Sequence, residues 1–66
     1  MKIIANGEAK DVPEGATLLE YIRSLGLDEN AVVAELNGDI IEKASFGSAL
    51  LRPDDRLELL HFVGGG

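Results

Sequence analysis

The sequence predicts an α+β domain: a mixed β-sheet packed on one main helix, in the order β-β-α-β-β-β. Three observations lead there. A capped amphipathic segment, TLLEYIRSLG, spans Thr17 to Gly26. Two Asn-Gly dipeptides, Asn6-Gly7 and Asn37-Gly38, each separate two short runs, and Asn-Gly is a strong hairpin signal because both positions tolerate positive φ. A final β-type run, LELLHF, stands just before Val63 and three glycines.

In chain order, KIIANGEAKDV reads as a hairpin. Its first strand carries Ile3 and Ile4, and its second is polar, with Glu8, Lys10 and Asp11, which suits an edge strand that must resist pairing with another chain. Pro13 and Gly15 break the pattern. Thr17 and Glu20 then have the spacing of a capping box. Leu18, Ile22 and Leu25 fall at i, i+4 and i+7 on one apolar face, flanked by Leu19 and Tyr21. Gly26 fits the left-handed position that ends a helix, and Leu27 beyond it is placed to fold back on Ile22.

AVVAEL, Ala31 to Leu36, is valine-rich and too short for a helix of its own, so it reads as a buried strand. Ile40 and Ile41 follow the second Asn-Gly. Residues Glu42 to Leu51 hold Phe46, Leu50 and Leu51, and their pattern allows a helical turn and an extended piece. RPDDR, Arg52 to Arg56, is a turn with Pro53 suited to its second position. The last strand, Leu57 to Phe62, shifts phase: Leu57 and Leu59 share one face, Leu60 and Phe62 the other. A strand apolar on both faces is either central or offers one face to a partner.

At 66 residues the chain is one domain, read as a body of residues 1–63 and a flexible glycine tail, Gly64 to Gly66. A chain this short buries only about 60% of the surface its unfolded form exposes. It has no cysteine, so disulfides and thiolate metal sites are excluded, and the single histidine, His61, cannot build a zinc site alone. Hydrophobic residues at 45% and charged residues at 27% are ordinary for a soluble globular domain. The net charge of −6, with only six basic residues spread along the chain, argues against nucleic acid and suits a basic protein partner. MKIIANGEAK holds no long apolar stretch, so neither a signal peptide nor a membrane helix is expected, and the cytoplasm is the expected location. The small size favours a binding or carrier role over a freestanding enzyme. No carboxylate pair, triad or phosphate-cradling loop is evident, and the triple glycine does not precede a helix.

NG at residue 6, TLLEYIRSLGL at 17–27, VVAELNGDII at 32–41 and DDRLELLHFVGGG at 54–66 resemble the thiamin-biosynthesis sulfur carrier family, ThiS, which has the ubiquitin-like β-grasp fold. The pieces are short, but their order and their position against the glycine end make the match specific. One region departs from the family. A Pro-Arg pair followed by a bulky aromatic often follows the second Asn-Gly strand; here IEKASF places Glu42 and Lys43 in the Pro-Arg positions, with Phe46 near the aromatic one.

The resemblance implies that the Gly66 carboxylate is the reactive group and Gly65 the other half of a Gly-Gly end. An activating enzyme, a ThiF-like adenylyltransferase, adenylates that carboxylate with ATP. A sulfur donor protein supplies the sulfur that converts it to a thiocarboxylate, and a ThiG-like thiazole synthase takes the sulfur into the thiazole ring. The chain is then a cosubstrate, not an enzyme, and holds no cofactor itself; ATP is used by the partner. Three extended glycines reach about 10 Å, at roughly 3.3–3.6 Å per residue, and can pass a channel closed to side chains. Ordering such a tail costs about 1–2 kcal/mol per residue, which contacts elsewhere must offset. Leu60, Phe62 and Val63 are the candidates for an apolar docking patch, although Leu60 and Phe62 also fit the core of a central strand.

Three other readings stay open: a carrier of the same chemistry for another pathway, such as the small subunit of molybdopterin synthase; a ubiquitin-like protein modifier; and a structural β-grasp interaction module. His61 reads as a surface or partly packed histidine rather than a base, Asp54 and Asp55 as turn residues, and Glu35 and Glu58 as residues on the solvent side of their strands.

Overall fold

The computed structural model describes residues 1–63. The expected glycine tail, Gly64 to Gly66, lies outside the described residues. Strands β1 (Lys2–Ala5) and β2 (Glu8–Asp11) form the first hairpin, with Ile3 opposite Lys10 and Ala5 opposite Glu8. Asn6 and Gly7 turn the chain at φ 49° and 80°, the paired positive angles of a two-residue hairpin turn. Every residue of β2 is exposed, as its polar sequence requires.

Helix α1 (Leu18–Ser24) starts on the expected capping box: Thr17 N–H donates to Glu20 Oε1 at 2.8 Å, and Glu20 N–H donates to Thr17 Oγ1 at 3.2 Å. Its buried face is Leu18, Tyr21 and Ile22. Leu25, expected on that face, is exposed instead. It is the C-cap and not a helical position, and the chain leaves the helix axis at Gly26, φ 74°; the third buried position of the helix is Tyr21. Leu27 packs, half-buried, against the same core.

A 3₁₀ turn, Glu29–Ala31, leads into β3 (Val32–Leu36), one residue later than the expected start at Ala31. Asn37 and Gly38, at φ 51° and 89°, close the second hairpin with β4 (Asp39–Ile41). The segment that follows contains both expected pieces, a 3₁₀ turn at Lys43–Ser45 and an extended bridge between Leu50 and Thr17. It also completes the helix. The first N–H groups of a helix have no partner within it; here Leu18 N–H donates to Ala49 O at 2.8 Å and Leu19 N–H to Phe46 O at 3.0 Å.

Arg52 to Asp55 form a tight turn in which Asp54 takes φ 67° and Asp55 N–H donates to Arg52 O at 3.2 Å. The last strand, β5 (Arg56–His61), then enters the middle of the sheet. The strand order is β2-β1-β5-β3-β4, with β5 parallel to β1 and antiparallel to β3. This is the mixed sheet expected from the sequence. One of its faces packs on α1 and on the segment after β4, around the fully buried Ile3, Leu18, Ile22, Phe46, Leu51 and Leu57.

Candidate functional site: the open face and end of β5

β5 lies in the middle of the sheet, and only one of its faces is covered. Leu57 is 0% exposed and Leu59 half-buried on the inner side, whereas Leu60 is 63% exposed and Phe62 56%. The core reading of Leu60 and Phe62 is therefore set aside: α1 covers the sheet from one side only, and both side chains stand on the other. Val63 follows at 87% exposure.

Strand register extends the apolar surface beyond these residues. Val33 pairs with Leu60 and Ile40 pairs with Glu35, so Val33 and Ile40 share the open face, and both are exposed. The sequence alone does not place them there, because a valine in AVVAEL is equally consistent with either face until the register with β5 is known. Glu35 and Glu58, both expected toward solvent, are on this face and pair with each other. The surface is thus apolar beside Leu60 and acidic beside Glu58.

Two side chains from the Asn-Gly turns also act on β5. Asn6 Oδ1 accepts from Leu59 N–H at 2.8 Å, and Asn37 Oδ1 accepts from Arg56 N–H at 2.9 Å. The signal was present in the choice of Asn over Asp or Gly in both turns, but only the fold brings the turns to β5.

His61 is exposed, as expected, and pairs with Val32. The Asp28 carboxylate is held below its ordinary value. The main cause is the Asn30 N–H, which donates to Oδ1 at 2.9 Å, followed by the Asn30 side-chain amide at 3.1 Å, with smaller help from the charges of Lys43 and His61. Among the described residues no group of three His, Asp or Glu is placed to hold a metal ion. A cleft of about 240 Å³ opens between Asp11–Ala16 and residues Glu20, Tyr21 and Ser24, and none of its lining residues belongs to β5. No helix among the described residues is long and apolar enough to cross a membrane.

The model of the ThiS family matches residues 2–66 of this sequence. The chain belongs to the ThiS family. A crystal structure of the thiamine biosynthesis protein ThiS from Geobacter metallireducens superposes with a TM-score of 0.83 at 30% identity, covering 100% of both chains. A solution structure of a thiamine biosynthesis protein from the same organism gives a TM-score of 0.81 at 30% identity, over 100% of this chain and 88% of that one. The fold is accordingly the ubiquitin-like β-grasp. The sulfur carrier protein ThiS of Bacillus subtilis is 36% identical over 50 residues, 76% of each chain. Two thiazole synthases match over all 66 residues, at 36% identity in Magnetococcus marinus and 33% in Paramagnetospirillum magneticum. The chain spans 20% of the length of each of these two relatives.

Proposed function

We propose that this chain is a sulfur carrier for the thiazole moiety of thiamin, acting through a thiocarboxylate on Gly66. The observation that carries the reading is the full-length match to the ThiS family, which runs through the three glycines to residue 66. The sulfur-carrier name of the Bacillus subtilis relative supports it. The open face of β5, ending in Leu60, Phe62 and Val63, supplies an apolar surface that can be held while the residues beyond it enter another protein's active site.

The chemistry divides between proteins. A carboxylate is a poor electrophile, being anionic with an oxide as its leaving group. A ThiF-like adenylyltransferase joins the Gly66 carboxylate to AMP and releases pyrophosphate from ATP. Sulfide (HS⁻), freed from a donor protein's persulfide by a thiol reductant, then attacks the carbonyl carbon, expels AMP and loses its proton, leaving a C(O)S⁻ group. This is covalent catalysis in which the carrier contributes the acyl group and its partners the activation. A ThiG-like thiazole synthase is the acceptor. Two relatives named thiazole synthase contain a stretch matching this whole chain, which favours that acceptor over one in another pathway. The carrier is a cosubstrate, and an exchange that consumes ATP suits the cytoplasm.

The test is to incubate the chain with the activating enzyme, ATP and a sulfur donor, and to measure its intact mass. Exchange of one terminal oxygen for sulfur is expected, and deletion of Gly66 should abolish it while leaving the fold unchanged. An unchanged mass, with an activating enzyme shown to be active on its own carrier, would overturn the reading; amide-linked conjugates on lysines would replace it with a protein modifier.

A further inference from the structure

β1 ends at Ala5, but its parallel neighbour β5 continues to His61. On the β3 side β5 stays paired over this length, with Val32 opposite His61 and Phe62 N–H donating to Ala31 O at 2.8 Å. On the β1 side the last main-chain bond is Asn6 N–H to Leu57 O, 2.8 Å. Beyond it the side chain of the same residue takes over: Asn6 Oδ1 accepts from Leu59 N–H at 2.8 Å, and Asn6 Nδ2 donates to Leu59 O at 3.2 Å. A carboxamide presents one acceptor and a donor side by side, like a peptide group. It therefore replaces the next residue of a strand that has already turned away. The turn itself does not demand this residue, since Asp or Gly also takes positive φ there; only Asn offers Leu59 both a donor and an acceptor.

We propose that Asn6 is a positioning residue for the activated terminus: by pairing with Leu59 it keeps the end of β5 in line with the sheet and fixes the direction in which the chain leaves it at Val63. The inference rests on the reading of Gly66 as the activated group. A carrier docked through its body must deliver that carboxylate to a phosphorus atom held by another protein. A strand end that swings would spread the carboxylate over many positions, and few of them would be productive.

Asn6→Gly tests this on the full chain, because glycine keeps the left-handed turn and removes only the carboxamide. Asn6→Asp keeps an acceptor for Leu59 N–H but sets a second oxygen against Leu59 O. With the activating enzyme, ATP and a sulfur donor, kcat for thiocarboxylate formation should fall roughly 10-fold in Asn6→Gly, the kind of loss that a small misplacement far from the chemistry produces. KM should change by less than about twofold, since the docking side chains are untouched. Asn6→Asp should fall between Asn6→Gly and the native chain. Amide exchange at Leu59 should quicken while that of Tyr21, bonded to Thr17 O within the helix, stays the same. If the native chain is converted and Asn6→Gly matches its kcat, or loses only in KM, or loses in proportion to its unfolded fraction by circular dichroism, the inference is wrong and the sulfur-carrier reading stands. If the native chain is not converted, both fall.

Discussion

Glu35 and Glu58 stand directly opposite each other across β3 and β5, on the open face of the sheet, and neither takes part in an ion pair among the described residues. Like charges facing each other across a strand pair are destabilising, by roughly 0.2–1 kcal/mol. Glu58→Gln should therefore stabilise the domain by a few tenths of a kcal/mol in urea titrations at neutral pH and low salt. The gain should shrink as salt screens the pair. Adding Glu35→Gln to it should bring little more, because one substitution already removes the repulsion; two independent, additive gains would refute the pairing.

The two faces of β5 make opposite predictions for the same kind of substitution. Leu57→Ala, on the fully buried inner side, should cost about 2–5 kcal/mol of stability. Leu60→Ala and Phe62→Ala should each stay within about 0.5 kcal/mol, because both side chains are exposed. Their cost should emerge in binding, as a loss of at least about 1 kcal/mol in calorimetric titration against the activating enzyme or thiazole synthase. Native-like affinity in the Leu60→Ala, Phe62→Ala double variant would remove the open face from the docking surface.

Asp28 gives the acid limb of stability a defined origin. Folding places its carboxylate against the Asn30 N–H and side-chain amide, which lowers its pKa below the ordinary 3.8. The anion is thus favoured in the folded state. Its contribution is fully present above the unfolded value and is lost as pH falls through the lower, folded one. The Asp28 carboxyl should titrate below 3.8 by NMR. Asp28→Ala should flatten the dependence of stability on pH in that acidic window without altering it near neutrality; an unchanged acidic slope would assign the effect to other carboxylates.

The parts of this fold that could be read from the sequence are those set by neighbours in the chain. Asn6-Gly7 and Asn37-Gly38 form turns because their backbones accept positive φ, and Thr17 caps the helix because Glu20 lies three residues on. These contacts close within a few residues, so they leave a mark in the local pattern. The apolar period runs one residue past the helix, to the exposed Leu25, because periodicity does not say where the helix stops meeting the core. Residues Glu42 to Leu51 gave little signal because their work is done at a distance: Phe46 fills the core, and the Phe46 and Ala49 carbonyls satisfy the N-terminus of α1.

The same division runs through the candidate site. Leu60, Phe62 and Val63 were visible in the sequence as an apolar run before the glycines, and so was the alternative that Leu60 and Phe62 belong to the core. Tertiary structure decided between the two, because exposure on β5 depends on which side α1 covers and not on alternation along the strand. It also decided that Val33 and Ile40 join that face, that Glu35 meets Glu58, and that Asn6 and Asn37 reach β5. Each of these is a relation between residues far apart in the chain. Such a relation is set by strand register, and register arises only when distant segments pair to bury one common face.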